Sequence, residues 1–212
     1  MADQRPSGHH GLPALLQALS RTENGCAWLL LGLAIGGLGW TWLGMQYGSG
    51  WWRQLLPTSP IGIIIHHSAS PATAEGQEVD VHLIDRWHER RGFARAGEDR
   101  TYHVGYHYVI LPDGTIQRGR PEHMRGAHCE GHNDQLGICL VGNFSSSANP
   151  HGRYGPNRPT EAQLAALDHL LERLIRRYGF TPANIHRHRD YAPTACPGDG
   201  LPFERVVREA FR

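Results

Sequence analysis

The chain predicts an α/β domain, a mixed central β-sheet flanked by helices, preceded by one N-terminal transmembrane helix. Three observations lead there. From Ile61 onward, short β-branched runs that read as buried strands are interspersed with segments of helical periodicity. One strand pair is joined by a tight turn, which makes the sheet mixed rather than wholly parallel. Before all of this, residues 26–45 run CAWLLLGLAIGGLGWTWLGM without a charge.

That apolar segment divides the chain into a polar N-terminal stretch (1–25), a membrane-crossing helix (26–45), a linker (46–60) and a catalytic domain (61–212). Twenty helical residues at roughly 1.5 Å each span a hydrocarbon core of about 30 Å. Trp40, Trp42, Tyr47, Trp51 and Trp52 cluster at its far end as an interfacial belt. Arg5 and Arg21 precede it and Arg53 follows, a slight bias that places the N-terminus in the cytoplasm and the domain on the periplasmic, cell-wall side of the inner membrane. The polar start, far from any cleavage site of small residues, favours an uncleaved single-pass anchor. Its five glycines lower its hydrophobicity, which also suits an anchor that releases.

Within the domain, Ile61 to His67 reads as a buried strand and Val79 to Arg91 as a helix with Val81, Ile84, Trp87 and His88 near one face. Pro112-Asp113-Gly114 is a turn between strands Tyr106 to Leu111 and Thr115 to Arg118. Leu136 to Val141 is a further buried strand. Thr160-Glu161-Ala162-Gln163 is a capping-box pattern, followed by Leu164, Leu167, Leu171, Leu174 and Tyr178 at spacings of three and four, with Gly179 as the stop. Ile185 to His188 is a short last strand and Phe203 to Phe211 a last helix.

Composition narrows the function classes. A net charge of +1 with acidic and basic residues interleaved lacks the positive field that nucleic-acid binding needs. Fifteen histidines against four cysteines are too few cysteines for a disulfide scaffold but enough for a mixed nitrogen and sulfur metal site. A catalytic zinc ion wants three protein ligands on rigid elements and one open position. His66 at the end of the first strand, His188 at the end of the short C-terminal strand and Cys196 eight residues later fit that need. On these residues alone a metal site and ordinary packing both stay open, as does a metal-free reaction with Cys196 as nucleophile and His188 as base.

Four ordered motifs add to this: IIIHHSAS at Ile63 to Ser70, VGYHYVILPDGTIQRGR at Val104 to Arg120, GAHCEGHN at Gly126 to Asn133 and HRDYAPTACPG at His188 to Gly198. Together they resemble the zinc-dependent N-acetylmuramoyl-L-alanine amidases, a family that includes phage amidase endolysins and animal peptidoglycan recognition proteins. The resemblance covers roughly residues 61 to 200. It implies hydrolysis of the amide bond between N-acetylmuramic acid and the L-alanine of the stem peptide, with peptidoglycan as substrate. It further implies Zn2+ held by His66, His188 and Cys196, with Tyr106 and Thr194 as catalytic residues and His107 in support. His128 and Asn133, with Arg120 less directly, would line the muropeptide groove. His67 points to the opposite side of the strand as a packing residue.

The chain departs from the family's pattern in three places. Asn133-Asp-Gln-Leu-Gly137 is one residue shorter than the usual spacing and lacks its serine. Ala94 to His103 lengthens the connection before the Tyr106 strand and reads as an added lip on the groove. Asn143 to Asn157 reads as a flexible surface loop. Cys139 is expected to pack inside its strand, and Cys129 to sit in a loop, exposed or in a disulfide. A non-catalytic peptidoglycan-binding module is the competing function, since some recognition proteins of the family have lost zinc, typically along with the cysteine ligand that Cys196 supplies here. A cytoplasmic recycling amidase is a third reading, against which the apolar segment speaks.

Overall fold

The protein was analysed as a computed structural model that describes residues 59–212. The expected membrane-crossing segment at 26–45 lies outside the described residues, and among those residues no helix is long and apolar enough to cross a membrane.

Strand β1 (Ile63–His67) is buried along its whole length. A two-residue hairpin, β2 (Thr73–Ala74) and β3 (Gln77–Glu78), leads into helix α1 (Val81–Glu89). Asp80 caps that helix by accepting from the Leu83 amide at 2.8 Å, satisfying a donor with no partner inside the helix. A second small hairpin, β4 (Arg95–Ala96) and β5 (Thr101–Tyr102), precedes the pair β6 (Tyr108–Ile110) and β7 (Ile116–Arg118). The turn between that pair bends at Gly114, whose φ of 87° suits glycine. Strand β8 (Leu136–Leu140), helix α2 (Glu161–Tyr178), strand β9 (Ile185–Arg187) and helix α3 (Phe203–Ala210) complete the domain.

The main sheet has the order β7-β6-β8-β1-β9. β1 runs parallel to both β8 and β9, β6 runs parallel to β8, and only β6 and β7 pair antiparallel, so the sheet is mixed as expected. Strand periodicity sorts its side chains between two cores. Ile63 and Ile65, Leu136, Ile138 and Leu140 face α2 and α3. Val109 and Cys139 face the α1 side. His66 pairs in register with Cys139, so it too emerges on the α1 side, and His67 emerges on the other.

The capping box forms as the sequence predicts: the Thr160 hydroxyl accepts from the Gln163 amide, and the Gln163 side chain accepts from the Thr160 amide. Gln163 does more than cap. Fully buried, it donates to the Ile110 and Val141 carbonyls and so ties the start of α2 to the sheet. Gly179, at φ 69°, ends the helix in the left-handed conformation.

The Asn143 to Asn157 loop lies largely at the surface as expected, and it is tied inward at Asn149, which has no exposed surface and donates to the Asn143 and Gly155 carbonyls. One expectation is corrected. The Ala94 to His103 insertion does form a hairpin, but Asp99, Arg100 and Tyr102 border a separate cavity beside Glu122 and do not form a lip on the cleft described below.

Leu167 is fully buried at the contact of α2 with the sheet. Leu167→Ala is expected to lower stability by about 2–5 kcal/mol, the cost of the lost methyl groups and the cavity they leave. Urea denaturation of the two proteins checks this.

Candidate metal centre

Parallel pairing carries the ends of β1 and β9 to the same edge of the sheet, the edge where open α/β sheets place their ligands. His66 stands at the end of β1, and His188 follows β9 at the start of a short 3-10 turn (His188–Asp190). The loop from there to Cys196 folds back, closed by the Arg189 amide donating to the Cys196 carbonyl. The Cys196 amide in turn donates to the Thr194 hydroxyl oxygen at 3.2 Å, leaving that hydroxyl's own proton free.

One donor atom from each of His66, His188 and Cys196 lies within 4.8 Å of the others. His66 Nδ1 and Cys196 Sγ are 3.7 Å apart. Bond lengths of about 2.0–2.1 Å to nitrogen and 2.3 Å to sulfur, at a tetrahedral angle, put two such ligands roughly 3.6 Å apart. The spacing therefore fits a zinc ion, as does the two-nitrogen, one-sulfur donor set. His66 and Cys196 are buried while His188 is half-exposed, so the trio is closed behind and open in front. The open side is a cleft of about 540 Å³ that Tyr106, His128, Asn133 and Thr194 also border.

Burial keeps the surrounding histidines uncharged. It drives His66 well below the ordinary histidine range, with His128, His188 and His67 adding to the effect, and it lowers His188 as well. His128 is pushed down to about 3 by burial, then by His107. His67 falls to about 4 through burial and the nearby Arg189. Neutral imidazole is the form that binds a metal. Burial also holds the Tyr106 phenol un-ionised, a hydrogen-bond donor at any ordinary pH.

Tyr106 lies between two of these rings, 5.1 Å from His66 and 5.4 Å from His88 by centroid, and its hydroxyl neighbours the Cys139 thiol. His107 is structural, accepting the Gly137 amide at Nδ1 and donating from Nε2 to the Met124 carbonyl. Arg120 is buried away from the cleft and donates to the Val104 and Arg125 carbonyls. Asn133 borders the cleft, yet its Oδ1 accepts the amides of His128 and Cys129 and so shapes the loop that carries them. His128 is buried, with both ring nitrogens already hydrogen-bonded within the protein. His67 packs near Phe144 and accepts its amide at Nδ1, and the residue also borders the cleft. Cys129, Cys139 and Cys196 are all free and buried, so the exposure or disulfide expected for Cys129 is not found.

The residue that sequence reasoning passed over is His88. It accepts the Gly105 amide at Nδ1 and borders the same cleft as His188 and Cys196. Its place on the buried face of α1, in phase with Val81 and Ile84, was the available signal.

A neutral His2Cys trio at the carboxyl edge of a mixed sheet, open to a cleft, has the donor set and exposure of a catalytic rather than a structural metal site. The family model for N-acetylmuramoyl-L-alanine amidase matches residues 57–199, and the chain belongs to that family. It is 38% identical over 140 residues to an endolysin of Klebsiella phage KP32, covering 66% of this chain and 81% of that one. Against the endolysin of Escherichia phage T7 the identity is 36%, with the same coverage. Among solved structures, the N-acetylmuramoyl-L-alanine amidase LysC from Clostridium intestinale superposes with a TM-score of 0.57 at 32% identity, covering 72% of this chain and 86% of that one.

Buried neutral histidines make the fold sensitive to acid. His88 and His107 titrate at about 4 in the folded chain, chiefly because they are buried. The unfolded chain protonates them near 6.5, so it gains protons first as pH falls. Stability is expected to hold above pH 6.5 and to drop by about 1.4 kcal/mol per pH unit for each histidine between 6.5 and 4. Denaturation midpoints measured with a zinc chelator present check this; a flat profile down to the carboxylate range would contradict it.

Proposed function

We propose that this cleft cuts peptidoglycan at the amide bond between N-acetylmuramic acid and the L-alanine of the stem peptide, with a zinc ion held by His66, His188 and Cys196. The observation that carries this reading is the placing of three ligand-type atoms within 4.8 Å of one another, with His188 and Cys196 lining an open cleft. The protein is a peptidoglycan amidase, as its family membership states.

When bound, the ion supplies a Lewis acid that polarises the scissile carbonyl and makes a water acidic enough to attack at neutral pH. The chain's own residues do the rest. His66 and Cys196 hold the rear of the site dry, and the His67 amide points at Cys196 Sγ from 3.4 Å, favouring the thiolate that a metal requires. Tyr106 borders the cleft and keeps its hydroxyl un-ionised. Thr194 contributes an exposed one whose oxygen is already oriented by the Cys196 amide. Both suit hydrogen bonding to the oxygen that gains charge as the carbonyl is attacked. Asn133 borders the groove that receives the muropeptide and holds its floor in shape.

Digestion of purified peptidoglycan with the full chain, read by mass spectrometry, tests the reaction. Stem peptides with a free N-terminal alanine should appear, vanish with a zinc chelator and return with added zinc. Tyr106→Phe should lower the rate by about 10²-fold or more if its hydroxyl serves the oxyanion. Peptidoglycan that is retained but left uncut, with zinc present, would instead make this a recognition module.

We further propose that residues 26–45 anchor the chain as a single-pass helix in the inner membrane, with the amidase on the cell-wall side. Their length and lack of charge support this. The full chain is expected in the membrane fraction after carbonate washing; recovery wholly in the supernatant would contradict it.

A further inference from the structure

Behind the donor trio runs a chain of hydrogen bonds whose direction is fixed at one end. The Gln135 carbonyl oxygen can only accept, so His128 Nε2, 3.0 Å away, carries a proton. The His128 ring is buried against the rings of His66, His107 and Tyr106, and its two nitrogens bond to His66 and the Gln135 carbonyl, so no carboxylate is bonded to it to offset a second proton. Its Nδ1 is therefore a bare lone pair. That lone pair lies 3.0 Å from His66 Nε2, which must be the donor. A neutral His66 protonated at Nε2 has its own lone pair at Nδ1, the atom that faces Cys196 Sγ at 3.7 Å.

The His128 ring sits in a slot with no slack. A Cβ on Gly126 would fall 2.4 Å from its Cδ2, and a Cβ on Gly137 2.5 Å from the same atom. The two glycines thus let backbone close on the ring. Asn133 Oδ1 holds the His128 amide at 2.8 Å, so the backbone is fixed as well.

From these contacts we infer that His128 is a positioning residue: the Gln135 carbonyl, His128 and His66 form a one-way relay that holds His66 protonated at Nε2 and aims its bare Nδ1 at the metal position. The relay replaces the direct substrate contact expected for His128 with an action through His66. It rests on the zinc reading of the site for its purpose, though the hydrogen bonds belong to the chain itself. Outer partners of this kind orient a ligating imidazole and raise its basicity.

The test uses the full chain and two variants. His128→Phe keeps a ring but removes acceptor and donor, whereas His128→Gln keeps both functions. Chelator competition should show zinc held about 10- to 100-fold more weakly in His128→Phe, with most of the loss recovered in His128→Gln. Long-range proton-nitrogen spectra of the zinc-free wild type should show His66 protonated at Nε2 and bare at Nδ1. Zinc binding in His128→Phe equal to wild type would overturn the relay, as would equal losses in both variants, because restoring the donor and acceptor would then recover nothing. A proton on His66 Nδ1 in the zinc-free protein would overturn it too, and that spectrum decides the matter even if His128→Phe fails to fold. If the wild type takes up no zinc, the zinc reading fails while the spectrum still judges the relay.

Discussion

A histidine that is buried, uncharged and aimed from the end of β1 sets the terms for the structure around it. Burying an imidazole costs free energy unless its nitrogens are engaged, and charging it there costs more. The protein meets this by giving the buried rings backbone partners. His67, His88 and His107 each accept an amide at Nδ1, from Phe144, Gly105 and Gly137. His128 instead donates to a carbonyl and accepts from His66. Each contact fixes a tautomer as well as a position. The parallel ladder β8-β1-β9 provides the rigid frame on which this depends, because it brings two strand ends to one edge.

The same burial separates the two chemistries open to Cys196. Desolvation pushes its thiol up to about 12, eased only in part by the His67 amide and Arg189. A thiol in that state is a poor nucleophile, whereas reactive cysteines sit where positive charge lowers their pKa. Cys196 is thus suited to losing its proton to a metal rather than to attacking a carbonyl unaided. Cys139 shares the His66 face in register, yet it is fully buried beside Tyr106 and outside the trio.

Much of this could be read from the residues. Strand β1, the β6-β7 hairpin, the α2 capping box and the Gly179 stop all carry local signals strong enough to survive packing: a β-branched run, a Pro-Asp-Gly turn, paired Thr and Gln, a left-handed glycine. The positions of His66, His188 and Cys196 allowed a metal site without deciding it; the trio was legible through the four ordered motifs and the family they resemble. What escaped notice has no local signal. The β2-β3 and β4-β5 hairpins have two-residue strands, too short for any periodicity to show. His128 sits in a loop motif that suggests substrate contact, and only the fold shows both of its nitrogens taken. Asn149 stands in a run of small polar residues that resembles open loop, and its burial comes from carbonyls six residues away on either side.

On the proposed reading, His66, His188 and Cys196 together hold one zinc ion. X-ray absorption at the zinc edge on the zinc-loaded full chain tests it most directly. One zinc per chain is expected, with a single sulfur at about 2.3 Å and two imidazole nitrogens at about 2.0–2.1 Å, the remaining position being filled by a light atom. A spectrum without the sulfur shell, or a Cys196→Ala chain whose zinc shell is unchanged, would contradict it.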